Sequence, residues 1–444
     1  MRDSRDREIL RLAFPAFLAL VAEPLFLLAD AAIVGHLGTA PLAGLGLAAA
    51  VLQTVIGLCV FLAYGTTGSV ARRLGAGDLR GAITQGIDGL WLAVGIGALV
   101  TVAGVLLADP LVHLFGASEE VTAPATTYLQ IAFLGTVPLL LMLAATGVLR
   151  GLQDTRTPLV VAVGGNALNV VLNLVLVYPA GLGIAGAALG SVLAQLASAA
   201  AFVWVVVRAA GRHGASLRPH LPGIRSAGRA GMPLVVRTLT LRAAILLTTY
   251  AVTLAALSAR DQKVDLATHQ LALTLWTFLA FVLDAIAIAA QALTGRSLGA
   301  GDVEGTRGLT RRMVAWGAIS GIATGVLLAS LSPVLGHLFT SDADVVDLLV
   351  PVLLVAALGQ PIAGVVFVLD GVLIGAGDGR YLALAGLLTL VVYAPVALLC
   401  AAQGAGLVTI WVAFTVVFMG ARFVVLVHRA RGTDWLVTGA ASVG

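Results

Sequence analysis

Long apolar stretches separated by short polar or glycine-rich segments recur along the whole chain. Each stretch is about 20 residues or longer, which is enough for a helix to cross a hydrocarbon core of about 30 Å. The pattern therefore predicts an all-α polytopic membrane protein. It divides into twelve predicted transmembrane helices at residues 12–35, 41–66, 83–108, 122–149, 158–179, 185–207, 230–257, 266–294, 313–338, 348–374, 381–401 and 407–427.

Composition agrees with this pattern. The 444 residues are 59% hydrophobic and 11% charged, whereas soluble domains carry about 25% charged residues. The 52 glycines suit helices whose backbones pack closely in lipid. Both cysteines, Cys59 and Cys400, lie inside apolar spans, so they predict neither a disulfide framework nor a metal site. A water-soluble globule is excluded.

The distribution of basic residues predicts the topology. With the N-terminus inside, 21 of the 26 lysines and arginines fall in segments on the cytoplasmic side. Only Arg260 and Lys263 fall in external loops. A bias of this strength follows the positive-inside rule, and it places both termini in the cytoplasm.

Three motifs repeat at one spacing of 224 residues. The pentapeptide LGAGD occurs at 74–78 and at 298–302, and HLF occurs at 113–115 and at 337–339. The segment starting at Gly147, GVLRGLQDTR, returns from Gly371 as GVLIGAGDGR. Three motifs in one register indicate an internal repeat. In LGAGD, glycine can end one helix and aspartate can cap the next.

Each repeat holds six predicted spans. Because six is even, both halves begin on the same side of the membrane, which predicts two pseudo-symmetric six-helix bundles with a central cavity between them. The longest polar interruption lies at the midpoint of the chain. The predicted organisation is therefore an N-terminal lobe at 1–207, a cytoplasmic linker at 208–229, a C-terminal lobe at 230–427 and a cytoplasmic tail at 428–444.

Ionisable residues inside the first predicted helix are candidate functional groups. A charge at the centre of a span costs about 2.5–3.5 kcal/mol or more, so such residues usually face a cavity or a partner. Glu23 and Asp30 are seven residues apart and share one helix face. A poorly solvated carboxylate disfavours its charged form and can load and release a proton. The alternative is a buried carboxylate held by structural hydrogen bonds.

The second half carries charges of both signs at similar depth, in Arg237, Arg242, Asp284 and Asp370. Opposite charges in lipid are expected to pair, because an unpaired charge there is costly. Two interpretations stay open at this point. One is a charged network or second cation site, and the other is a fixed salt bridge that locks helices together.

Several segments resemble the MATE (multidrug and toxic compound extrusion) transporter family over nearly the whole chain. The similar segments are PLFLLADAAIVGHLGTAPLAGLGLA, RGLQDTRTP, NALNVVLNLVLVYPAGLGIAGAALGSVLAQ and, closest to the DinF branch, VDLATHQLALTLWTFLAFVLDAIAIAAQALTGRSLGAGD. The resemblance implies twelve helices in two lobes and cation-coupled antiport that exports amphipathic, often cationic, compounds.

The resemblance also assigns roles to residues of the N-terminal lobe. Asp30 aligns with the coupling acid, and the sodium-binding positions of the family fall on Asn169, Asn173 and Ser191. The sodium-binding members that this chain resembles have a second acid at the position where it has Asn173. Since carboxylate charge stabilises a sodium cage, this departure favours protons as the coupling ion and leaves sodium as the alternative. Position 248, which matches Asp30 in the second half once a gap in the seventh predicted helix is allowed for, is Thr248.

These observations predict a secondary antiporter in the plasma (inner) membrane. It would act as a monomer among membrane lipids, use the H⁺ gradient, with Na⁺ as the alternative, and need no metal or organic cofactor. The only lysine does not lie in a GxxxxGK[ST] motif, so ATP is not an expected partner. Nucleic acid is not an expected partner either. A lipid or lipid-linked saccharide flippase is the alternative function. A membrane-embedded enzyme is a remote one, because the chain has neither HExxH nor GxSxG.

Overall fold

The computed structural model describes residues 2–116, 118–256 and 262–440. These residues form long α-helices joined by short turns, with one π-helix at Phe414–Met419. The α-helices are α1 (Arg2–Gly35), α2 (Thr39–Cys59), α3 (Phe61–Gly75), α4 (Leu79–His113), α5 (Glu119–Leu134), α6 (Thr136–Gly151), α7 (Arg156–Val177), α8 (Gly183–His213), α9 (Leu221–Ala256), α10 (Gln262–Gly299), α11 (Val303–Phe339), α12 (Ala343–Gly375), α13 (Gly379–Ala402), α14 (Leu407–Ala413) and α15 (Gly420–Arg431).

The helices reproduce the predicted spans. In the described part of the chain, eleven helical segments are long and apolar enough to cross a membrane. Helices α5 and α6 form a twelfth span if they are counted together, with a bend of 52° between them. One span, Thr39–Gly75, consists of α2 and α3, and another, Leu407–Arg431, consists of α14, the π-helix and α15. The all-α membrane fold predicted from the hydrophobic pattern is confirmed.

The chain divides into two compact units, Phe14–Met232 and Met1–Ala13 with Pro233–Gly444. The first thirteen residues thus group with the second half, whereas the sequence analysis placed them in the N-terminal lobe. In the predicted linker 208–229, α8 continues to His213 and α9 begins at Leu221, which leaves only 214–220 outside a helix. Residues 257–261 of the predicted C-terminal lobe, including Arg260, and 441–444 of the predicted tail lie outside the described residues.

Within the unit Phe14–Met232, α2 packs on α5, α7 packs on α8, and α3 and α4 pack on α6. Its buried core joins the C-terminal part of α1 to α2, α4, α5, α7 and α8, through residues such as Val34, Ala48, Leu129, Phe133 and Ala188. This core fixes α1, α7 and α8 next to one another, and those three helices carry the candidate coupling residues.

The LGAGD turns have the predicted conformation in both halves. Gly77 and Gly301 adopt φ values of 78° and 77°, in the left-handed region that glycine enters without a steric penalty. The carboxylates of Asp78 and Asp302 then accept hydrogen bonds of 2.7 Å from the amides of Gly81 and Gly305, at the starts of α4 and α11. The repeated pentapeptide is a helix-ending and helix-capping turn.

The third repeated motif marks a close helix contact. A Cβ atom on Gly147 would lie 2.5 Å from the carbonyl oxygen of Ala63, and one on Gly371 would lie 2.4 Å from that of Ala287. Helix α6 therefore packs on α3 as α12 packs on α10, with backbone against backbone. The same pairing thus occurs in both units.

Candidate functional site

A chain of hydrogen bonds joins the carboxylate of Asp30 to the polar side chains of α7 and α8. The side-chain amide nitrogen of Asn173 lies 2.7 Å from Oδ1 of Asp30 and 3.2 Å from Oδ1 of Asn169. Asn169 in turn donates to the hydroxyl of Ser191 at 2.8 Å, and Ser191 donates to the carbonyl of Ala187 at 3.0 Å. The structure thus brings together four of the five residues predicted for cation or proton coupling.

Local packing explains why these groups meet. Asn169 and Asn173 are one helical turn apart on α7 and point to the same side. Both are buried. On the facing helix α8, a Cβ atom on Gly190 would lie 2.1 Å from Oδ1 of Asn173. The absence of a side chain on Gly190 leaves room for the Asn173 amide beside α8, where the neighbouring Ser191 contacts Asn169.

The direction of these bonds matches an ionised Asp30. Asn173 offers its N–H groups to Asp30 and to Asn169, and a carboxylate that accepts such a bond is stabilised in its charged form. Asp30 is only partly buried, and it forms no salt bridge within the described part of the chain. Protonation of Asp30 would weaken the bond from Asn173, because a neutral carboxyl group is a weaker acceptor than a carboxylate.

Glu23, the fifth predicted coupling residue, lies apart from this chain. Its side chain is exposed, and it makes no hydrogen bond to any described residue. It precedes Pro24, one of two prolines inside α1. The geometry therefore offers Glu23 as an accessible acid on the same helix and gives it no link to Asn169, Asn173 or Ser191.

Two tyrosines near Asp30 were not among the predicted site residues. The buried Tyr128 on α5 lies near Ser191 and Asp30. The hydroxyl of Tyr178, at the end of α7, donates to the carbonyl of Ile33 at 2.7 Å. A tyrosine inside an apolar span is a weak signal, because it also occurs as a packing residue.

In the second unit, the predicted charged residues only partly come together. Asp370 on α12 accepts hydrogen bonds from Arg237 on α9 and, at 3.1 Å, from Arg422 on α15. Asp284 interacts electrostatically with Arg422. Arg242 is exposed and forms no ion pair with a described residue. The predicted network did not include Arg422.

A shallow cleft lies beside this charged network. Its volume is about 240 Å³ with the solvent at its mouth included, and Arg237, Thr240, Asp370 and Arg422 line it. Typical pockets for drug-sized ligands measure about 300–1,000 Å³. The cleft is therefore too small to hold such a ligand. Two arginines that share one carboxylate favour a fixed ionic link over a free cation site.

Thr248, the residue that matches Asp30 in the second unit, lies beside a cluster of aromatic side chains. Thr248 shares a 2.7 Å hydrogen bond with the hydroxyl of Tyr393, and residue 393 lies 224 positions after Asn169. The adjacent Thr249 contacts Nε2 of His269 at 3.0 Å, and Trp411 donates to Nδ1 of His269 at 3.2 Å. Because indole N–H can only donate, this histidine is held neutral with its proton on Nε2. Hydropathy alone did not indicate that role.

No group of three or more His, Cys, Asp or Glu side chains in the described residues is arranged to hold a metal ion.

Comparison with known proteins places the chain among membrane transporters. The MatE family model matches residues 15–175 and 241–399. "Protein DETOXIFICATION 44, chloroplastic" of Arabidopsis thaliana is 32% identical over 391 residues, which cover 84% of this chain and 72% of that protein. "DNA damage-inducible protein F" of Escherichia coli K12 is 32% identical over 304 residues, which cover 67% of this chain and 65% of that protein.

Solved structures share the fold across almost the whole chain. The Vibrio cholerae MATE transporter VcmN, in the bent form, superposes with a TM-score of 0.86 at 21% identity and covers 98% of this chain and 99% of its own. A transporter of the MOP superfamily from Pyrococcus furiosus superposes with a TM-score of 0.86 at 22% identity. The match covers 96% of this chain and 95% of that one. The two-bundle arrangement predicted from the repeat agrees with these neighbours.

Proposed function

Because the chain belongs to the MATE family of multidrug and toxic-compound efflux transporters, we propose that it exports amphipathic organic cations in exchange for protons. Asp30 is the coupling acid in this proposal. The observation that carries it is the hydrogen bond from Asn173 to a partly buried carboxylate that has no salt-bridge partner among the described residues. Such a group can exchange its proton without first breaking an ion pair.

The composition of the site supports protons over sodium. Its side-chain oxygens come from Asp30, Asn169, Asn173 and Ser191, so a bound ion would meet a single carboxylate charge. Hard cations such as Na⁺ are held by several oxygens, and added carboxylates strengthen such sites. Asn173 also turns its N–H groups, rather than its oxygen, toward Asp30. Sodium coupling is the alternative that the experiment below separates from proton coupling.

The proposed cycle follows from the hydrogen bonds. Protons entering from outside neutralise Asp30 and weaken its bond to Asn173, which shifts α1 relative to α7 and releases the bound cation to the outside. Loss of the proton to the cytoplasm restores the charge, and a new cation is attracted to it. Glu23, as an exposed acid on the same helix, is proposed to attract the cation. Pro15 and Pro24 can bend α1, because each removes a helix hydrogen bond.

The proposal extends to location and partners. With the positive-inside bias described above, both termini face the cytoplasm, and the transporter works as a monomer in the plasma membrane. A lipid or lipid-linked saccharide flippase is less well supported, because a flippase for anionic headgroups needs available basic groups. Of the arginines inside the predicted spans, Arg237 and Arg422 already bind Asp370, which leaves only the exposed Arg242 without an ion pair to a described residue.

The test uses inside-out vesicles with an acidic interior and ethidium, a fluorescent planar cation, outside. Wild type is expected to release protons when ethidium is added, with sodium replaced by choline, and Asp30→Asn is expected to release none. Asp302→Asn is the matched control, because it changes an aspartate in a cytoplasmic turn. Transport driven by a sodium gradient without proton release would contradict proton coupling. If neither gradient moves ethidium, the flippase alternative is favoured.

A further inference from the structure

Helix α1 belongs to two different units. It is one continuous helix from Arg2 to Gly35, yet Met1–Ala13 groups with Pro233–Gly444, and the rest of the helix groups with Phe14–Met232. Pro15 lies directly after this boundary, and Pro24 lies one to two turns before Asp30. The same helix therefore carries the coupling acid at one end and is bound to the second unit at the other.

Asp6 provides the main polar attachment of that bound end. Both of its carboxylate oxygens accept hydrogen bonds from the guanidinium of Arg312, one of them at 2.5 Å from Nε. The indole nitrogen of Trp316 donates to the same carboxylate at 2.8 Å. Two-point bonding of arginine to a carboxylate fixes orientation as well as distance. We call Asp6, Arg312 and Trp316 the Asp6 clamp.

Neighbouring contacts dock the same segment. Glu8 pairs with Arg296 of α10 at 2.8 Å, and the side chains of Ile9, Leu12 and Ala13 are buried. The guanidinium of Arg5 packs against Gly308: a Cβ atom on Gly308 would lie 2.5 Å from Nη1 of Arg5. Polar contacts thus hold the first turns of α1 on α10 and α11, and apolar side chains of the same segment are buried.

The helix can transmit a displacement between its two ends. Asp6 and Asp30 are 24 residues apart, which is about 36 Å along a helix that rises 1.5 Å per residue. No residue of the Asp6 clamp hydrogen-bonds Asp30 or its partners. A change at Asp30 can therefore reach the second unit through α1 only if the docked end of the helix does not slip.

We propose that Asp6, Arg312 and Trp316 are positioning residues for transport: they hold the N-terminal end of α1 on α11, so that rearrangement at Asp30 is passed to the second unit. This inference rests on the antiport proposed above. It assigns no contact with substrate or proton to the clamp. Loss of the clamp should therefore leave events at Asp30 intact and uncouple them from transport.

An ordinary surface ion pair would have no such effect, since exposed pairs contribute about 0–1 kcal/mol. Glu304 and Arg307 form a pair of this kind on the same helix as Arg312, at 3.8 Å and with Glu304 almost fully exposed. This pair provides the matched control. Asp6, by contrast, is largely covered and has three donors.

The experiment compares wild type with Asp6→Asn, Arg312→Gln, Glu304→Gln and the charge exchange Asp6→Arg with Arg312→Asp. Two quantities are measured for each: proton release on ethidium binding to purified protein in detergent, and the KM and maximal rate of ethidium transport in proteoliposomes. Size-exclusion profiles and thermal unfolding show whether each variant is folded.

Clamp variants are expected to keep wild-type proton release and KM and to lose at least tenfold in maximal rate. Glu304→Gln should match wild type, and the charge exchange should recover part of the lost rate. Wild-type rates in Asp6→Asn and Arg312→Gln would overturn the proposed role of the Asp6 clamp and leave the proposed antiport unaffected. Equal loss of proton release and transport would also overturn it, since it would indicate a merely structural role. Absence of proton release in wild type would instead overturn the antiport on which the inference rests.

Discussion

Replacing Asn173 by aspartate tests the reasoning about the coupling ion, because it adds the second acid that this site lacks. The amide nitrogen of Asn173 lies 2.7 Å from Oδ1 of Asp30, so a carboxylate oxygen would take its place. At that distance, two unit charges repel by about 6 kcal/mol at an effective dielectric constant of about 20. The two acids cannot both stay charged without a cation, so the pair must share a proton or bind an ion.

We expect Asn173→Asp to gain a sodium response. An ion that binds only the folded protein stabilises it by about 2.7 kcal/mol at a concentration of about 100 times its dissociation constant. Thermal unfolding in detergent should therefore shift upward with NaCl in the variant and not in wild type, with choline chloride keeping the ionic strength constant. Asn166→Asp is the control, because it adds the same charge on α7 outside the hydrogen-bonded chain.

Two results would refute the reasoning. If wild type is stabilised by sodium as strongly as Asn173→Asp, one carboxylate is enough for a sodium site, and the argument from the missing acid fails. If Asn166→Asp gains the same response as Asn173→Asp, closeness to Asp30 does not matter.

Three other changes have defined outcomes. Gly371→Ala places a Cβ atom 2.4 Å from the carbonyl oxygen of Ala287 and should lower the free energy of unfolding by about 1–3 kcal/mol. The control Gly164→Ala, whose Cβ meets no atom within 4 Å, should not lower it. Thermal unfolding of the two variants checks this. Asp370→Asn leaves two arginines without their shared charge and should destabilise the protein by about 3–5 kcal/mol, whereas Arg242→Gln should be near neutral in the same assay. Pro24→Ala restores a helix hydrogen bond and should slow ethidium transport in proteoliposomes; an unchanged rate would count against bending of α1.

The sequence predicted the features that depend on spacing along the chain. The helices follow from runs of apolar residues, and the capping turns at Asp78 and Asp302 follow from a repeated pentapeptide. The grouping of Asn169 with Asn173 follows from helical periodicity. Each of these features lies within one helix or one turn, so it can be predicted from neighbouring residues in the sequence.

Features that depend on which helices meet could not be predicted in this way. Arg422 joins Asp370, and Trp411 fixes His269, across 52 and 142 residues. Asp6 binds Arg312 across 306 residues and so takes the start of α1 out of the lobe to which its position in the sequence assigned it. All the helices have a similar pattern of apolar residues, which is compatible with many different helix–helix contacts. Only close packing of the side chains selects among those contacts.

The most direct test of the account is proton release by purified protein in weakly buffered detergent when ethidium is added, with sodium absent. Wild type should acidify the solution as ethidium binds, and Asp30→Asn, shown by thermal unfolding to be folded, should not. Equal acidification by Asp30→Asn would contradict the assignment of Asp30 as the acid that exchanges a proton for the cation.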